Sequence, residues 1–167
     1  MKPRELCYIA VMGAIEAVVF TSFSFILYLE CITLTIVLFA TIFPTRQAVL
    51  AAVVFTIINL SMQGVTPWSM MYCLIYPTYS LLIGLGKGYL SKHVIVTALV
   101  CGLLSFLTGQ LVQLPFMLIS KNITFLYILM GLKTSILQGM MSAACALVCY
   151  RPLTAVLRPI ERRCHYG

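Results

Sequence analysis

Long apolar runs separated by short polar breaks set the pattern of this chain. Gln47 to Gly86 and Val94 to Ser120 contain no Asp, Glu, Lys, Arg or His, and each run exceeds the roughly 20 residues that carry a helix across a bilayer. A membrane barrel would instead show short segments alternating apolar and polar positions, and that alternation is absent. The pattern predicts an all-α integral membrane protein with six transmembrane helices in one bundle, a single domain over residues 1–167. The expected spans are Leu6–Phe25, Tyr28–Phe43, Gln47–Leu60, Trp68–Gly86, Val94–Leu118 and Ile123–Tyr150. The second and third are short, so either they tilt little or part of each is continued by loop residues buried in the protein.

The breaks carry their own logic. Phe43-Pro44-Thr45-Arg46 reads as a tight turn, because Pro44 cannot donate to a continuing helix and Arg46 resists burial. Asn59 to Pro67 is a longer polar break, and Gly86 to Lys92 a basic glycine loop. Outward loops are then expected at Ser24–Glu30, Asn59–Pro67 and Ser120–Thr124. Six spans place both termini on one side. On that side fall Lys2, Arg4, Arg46, Lys87, Lys92, Arg151, Arg158, Arg162 and Arg163, out of 11 basic residues. Lys121 falls opposite and Lys133 inside the last span. The positive-inside rule makes the termini cytoplasmic.

Composition agrees: 62% of the 167 residues are hydrophobic and 9% charged, against about 25% charged in a soluble domain. A net charge of +7 in such a chain speaks of topology rather than of nucleic acid. The seven cysteines include no C-x-x-C pair and lie mostly in apolar runs, which argues against a disulfide framework. Neither His93 nor His165 adjoins a carboxylate cluster, so no metal site is legible. Glu16 within the first apolar run, and the lack of a small-x-small cleavage site before Glu30, favour a retained helix over a signal peptide.

Candidate chemistry is confined to a few positions. Ala10, Gly13, Ala14 and Ala17 recur at helical spacing and form one small-residue stripe where another helix can approach. Glu16 sits roughly 120° from the middle of that stripe. Glu16 and Lys133 both fall near mid-membrane, where they could form a structural ion pair or a polar floor under a pocket. Glu30 opens the second span on the outer side, where a carboxylate can stay hydrated. Trp68, Tyr72, Tyr76 and Tyr79 share roughly 80° of arc on the fourth span, either as helix packing or as a stacking wall for a flat ligand. Pro77 in that span would bend it and free a carbonyl. Gln110 and Gln113 share a face near the outer end of the fifth span and could bond a ligand or each other. Gly131, Ser135, Gly139 and Ala143 form a close-packing stripe on the sixth. There is no motif that pairs a His with a nucleophile for catalysis, no Walker loop and no cofactor fingerprint. The chain therefore reads as neither an enzyme nor an ATPase.

The helix-one run Ala10-Val11-Met12-Gly13-Ala14, six helices, inward termini and outward polar loops resemble the substrate-binding S component of energy-coupling factor (ECF) vitamin transporters. The resemblance covers the whole chain. It implies a multi-pass protein of the bacterial cell membrane that captures a small B-vitamin or vitamin precursor from outside. It also implies docking, through Ala10 and Ala14, on a transmembrane coupling subunit bearing two cytoplasmic ATPases, with Gly13 and Ala17 extending that surface by geometry. ATP and Mg would then be used by the partners, with no cofactor in this chain. The outer-side pocket of such proteins is expected here at Trp68, Tyr72, Tyr76, Gln110, Gln113, Asn122 and Lys133. The aromatic face and sparse charge look most like members for hydroxymethylpyrimidine or pyridoxine. Lys133 and Lys121 keep a pantothenate or folate carrier open. The rival reading is a standalone facilitator or an assembly subunit.

Overall fold

The computed structural model describes residues 3–26, 30–118 and 121–166. Those residues fold as six α-helices: α1 Pro3–Phe23, α2 Cys31–Ile42, α3 Thr45–Gln63, α4 Pro67–Leu90, α5 Val94–Leu111 and α6 Lys121–Tyr166. A short 3₁₀ helix, Leu114–Leu118, follows α5, and no strand occurs among the described residues. Tyr28, where the second span was expected to open, lies outside the described residues, as do Lys2 and Ser120.

Five of the helices are long and apolar enough to cross a membrane. The exception is α2, whose 12 residues span only about 18 Å at 1.5 Å each, short of the ~30 Å hydrocarbon core. Its place explains its composition. α2 packs against each of the other five helices, and Ile32, Val37, Phe39 and Ala40 are all buried. A helix apolar all round belongs in an interior, so α2 forms the axis of the bundle. Around it α3 lies between α1 and α4, and α5 packs on α6.

The turns follow from their residues. α3 begins directly behind Pro44, whose carbonyl accepts from Gln47 N at 2.9 Å, as the tight-turn reading requires. α3 is longer than expected and ends at Gly64, whose φ of 78° is a left-handed conformation that glycine adopts without strain. Two residues on, Thr66 Oγ1 accepts from Ser69 N at 3.1 Å, and Pro67 takes the first helical position, where no N–H is needed. The polar break thus contracts to residues 64–66. α4 runs unbroken through Pro77 and on to Leu90, so most of the expected glycine loop is helical. α6 also overruns its expected end at Tyr150. Its 46 residues include Pro152 and Pro159 and extend about 69 Å, well beyond one bilayer crossing. Past Tyr150, Leu157 packs against the cluster of Met12, Phe39, Phe43 and Ala51.

Lipid tails are as apolar as leucine, so close packing must hold these helices together. The α5–α6 contact shows how. A Cβ added at Gly102 would meet Gly139 O at 2.8 Å and the Ala143 Cβ at 2.9 Å, and one at Gly139 would meet Gly102 O at 2.8 Å. Gly139, Ser135 and Ala143 act here as the close-packing stripe their spacing suggests. Gly102→Val should therefore lower stability by about 1–3 kcal/mol through overpacking against backbone. Gly88→Ala, where nothing lies within 4 Å, should leave it unchanged or slightly higher. Thermal unfolding of both variants in detergent measures the contrast.

Candidate functional site

Glu30 stands at the N-cap of α2, yet its side chain makes no capping hydrogen bond. An Asp, Asn, Ser or Thr at that position would ordinarily contribute about 1 kcal/mol by accepting from the first turn. Glu30 turns into the bundle instead. Its Oε1 accepts from the Tyr76 hydroxyl at 3.1 Å, and its Oε2 accepts from Ser105 Oγ at 2.5 Å and from Gln138 Nε2 at 2.5 Å. One carboxylate thereby links α2 to α4, α5 and α6. Tyr76 lies about 14 Å along α4 from its start, so Glu30 reaches in beside the third turn of α4, half-buried and facing the cavities it lines.

The aromatic face of α4 packs around this point. Tyr72 and Tyr76 stack with centroids 5.2 Å apart and an interplanar angle of 26°. Phe20 of α1 meets Tyr72 edge-on at 5.7 Å, and Phe55 of α3 meets Tyr76 at 5.4 Å. The phenol of Tyr76 is fully buried and has the partner such a group needs. Trp68 extends the series outward, with Phe116 of the 3₁₀ helix at 5.5 Å and Tyr127 of α6 stacked on Phe116 at 5.4 Å.

Two cavities open beside the carboxylate. One, of about 240 Å³, is bounded by the end of α1 at Phe20 and Phe23. The other, of about 260 Å³, is bounded by Trp68, Gln113, Phe116 and Tyr127. Glu30, Tyr72 and Gln138 line both. Each is smaller than the roughly 300–1,000 Å³ of pockets for drug-sized ligands, a scale that suits a single substituted ring. Gln113 donates through Nε2 to Gly109 O at 3.3 Å, and its Oε1 is buried without a hydrogen-bond partner.

The expected residues divide. Trp68, Tyr72 and Gln113 line a cavity, and Tyr76 stands behind it as the partner of Glu30. Gln110 donates to Ser135 Oγ at 2.8 Å, across the α5–α6 contact, and lines neither cavity. Asn122 and Lys133 are exposed and line neither. The ion pair between Glu16 and Lys133 is not formed: Glu16 is 1% exposed with Oε2 unpartnered, whereas Lys133 faces outward from α6. A lysine in an outer face can extend to the interface, which costs less than burial. The small stripe on α1 divides as well. Gly13 and Ala17 are buried with Glu16, and a Cβ at Gly13 would meet Val54 Cγ1 at 2.7 Å and Ala51 O at 3.0 Å. Gly13 thus seats α1 on α3 and Ala17 joins the core, so of the stripe only Ala10 and Ala14 remain exposed, flanked by Cys7, Val11 and Val18.

No protein family, curated protein or solved structure matches the chain.

Glu30 and Gln138 are the site residues that the spacing of polar positions did not reveal. A carboxylate at a helix start reads as solvated, and Gln138 stands alone in an apolar span. The available signal was that Ser105, Gln138 and Glu30 are each polar where lipid or core would exclude them. Removing the acceptor strands three donors. Glu30→Ala should cost about 3 kcal/mol or more, and Tyr76→Phe, which deletes one donor, about 1–2 kcal/mol. Unfolding temperatures in detergent would read both, and equal losses would contradict the hub arrangement.

Proposed function

We propose that this protein is the substrate-capture S component of an ECF-type importer. It takes a small B-vitamin or precursor of hydroxymethylpyrimidine or pyridoxine type and passes it inward after docking on a coupling subunit with two ATPases. The observation that carries the reading is the pair of polar and aromatic cavities around Glu30, set within a helical bundle whose long helices are otherwise apolar. A bundle that only assembled with others would gain nothing from placing a carboxylate, two amides and a row of aromatic rings around open space.

Two further features support it. The cavity volumes favour a one-ring ligand over a folate-sized one. On α1, Ala10 and Ala14 offer a smooth exposed strip on which a coupling helix can lie close, while Gly13 is used by α3 and Ala17 is buried in the core. In this reading all six helices make up the membrane domain, with α2 as a short inner span, and both termini are cytoplasmic, by the weight of basic residues on that side.

Transport and binding should separate under mutation. Ala10→Trp and Ala14→Trp are expected to abolish uptake in cells and co-purification with the ATPases, while ligand affinity of the purified chain stays within about threefold of wild type. Unchanged uptake in both variants would contradict docking through this strip. Purification without ATPases under any condition would favour a standalone facilitator.

A further inference from the structure

The capture reading leaves open what Glu30 and Gln113 recognise, and the polar groups around the cavities address it. Glu30 accepts three hydrogen bonds, all from neutral donors: a phenol, a hydroxyl and an amide. A carboxylate offers about four acceptor positions, so Oε1, with one donor, retains capacity toward the cavities it lines. The titratable groups that sense it are phenols and thiols, among them Tyr72, Tyr79, Cys31 and Cys101. None is basic. Lys133, the one lysine within the membrane-crossing stretch of α6, is exposed on its outer face. The N-terminus of α2 supplies about half a positive charge nearby, yet Glu30 makes no capping bond to it. Among the described residues no cation reaches Glu30, so its remaining acceptor capacity faces the two cavities it lines.

The second clue is Gln113 Oε1, a buried acceptor without a partner on the wall of the 260 Å³ cavity. Its amide orientation is fixed, because Nε2 is spent on a carbonyl oxygen, that of Gly109. Two acceptors, one of them a carboxylate, thus border a space walled by the rings of Tyr72, Trp68 and Phe116. Such walls favour a flat ring, and more so one bearing positive charge.

The geometry points to a small, flat nitrogen heteroaromatic that presents a protonated or protonatable N–H edge to Glu30 and a second donor to Gln113 Oε1. This inference rests on the capture reading and names its substrate class. A carboxylate or phosphate edge would bring acceptors to Glu30 and to Gln113 Oε1, which are acceptors themselves. The site therefore selects by donor pattern as well as by shape.

Isothermal titration calorimetry of the full-length, detergent-purified protein tests it with four probes. They are hydroxymethyl-aminopyrimidine, the same ring with methyl in place of the amino group, pyridoxine and pantothenate. The aminopyrimidine or pyridoxine should bind, pantothenate should not, and the aminopyrimidine should exceed its methyl analogue by roughly 100-fold, the worth of a charge-assisted hydrogen bond. Glu30→Gln, which keeps the shape and loses the charge, should reduce the better ligand's affinity by a similar factor. The unfolding temperature of the variant verifies its fold, and the wild-type selectivity stands without it. Equal binding of the methyl analogue, preference for pantothenate, unchanged affinity in folded Glu30→Gln, or no binding of either the aminopyrimidine or pyridoxine would overturn the inference. Co-purification with ATPases alongside a preference for pantothenate would leave the capture role standing and remove only the ligand class. Selective binding of the aminopyrimidine or pyridoxine by a chain that never associates with ATPases would do the reverse.

Discussion

A carboxylate inside an apolar bundle must be supplied with donors, and that constraint at Glu30 organises the molecule. Each donor comes from a different helix, Tyr76 from α4, Ser105 from α5 and Gln138 from α6, so the three must converge on the N-terminus of α2. In lipid there is little hydrophobic force between helices to bring this about. Hydrogen bonds to a charged acceptor, together with glycine-mediated contacts such as Gly102 on Gly139, supply what burial supplies in a soluble protein. The shortness of α2 belongs to the same arrangement. A longer helix would carry its N-terminus toward the end of the bundle, away from Tyr76. Stopping at Cys31 leaves the carboxylate beside Tyr76, with space next to it.

That space has a consequence for stability as well as for recognition. The donors to Glu30 are neutral and Gln113 Oε1 is buried without a partner, so polar groups beside the cavities are incompletely satisfied. Proteins accept such deficits where a ligand completes them. In the proposed capture role, ligand binding to the folded state would add stability by mass action, coupling affinity to folding through the same few side chains.

Periodicity and length made the helices legible, and Pro44, Gly64 and Pro67 made two of the turns so. The close-packing role of Gly139 and Ala143 was readable because small residues at every fourth position have few other uses in a membrane helix. The reading failed where one helix faces two environments. Ala10, Gly13, Ala14 and Ala17 form one stripe by angle, but the boundary between α3 and the exterior runs through it. Spacing alone does not locate that boundary. Glu16 and Lys133 were matched by depth, while the direction each faces is set by tertiary packing: one is buried in the bundle, the other exposed on α6. Glu30 was hidden for a different reason, since its partners lie 46, 75 and 108 positions away in the chain. Glycine-loop chemistry at residues 86–92 was overridden because α4 propagates helix through Gly86 and Gly88, a modest cost of about 1 kcal/mol per glycine.

The central claim is that the space beside Glu30 is a binding site for a small ring bearing a positively charged or donor-rich edge. Native mass spectrometry of the detergent-purified protein, followed by denaturation and identification of what is released, tests it most directly. Ligands held at nanomolar affinity, around −12 kcal/mol, often survive purification. The account predicts one retained molecule per chain, a nitrogen heteroaromatic with a protonatable N–H edge. A retained anion, or an aliphatic molecule without a ring, would contradict it.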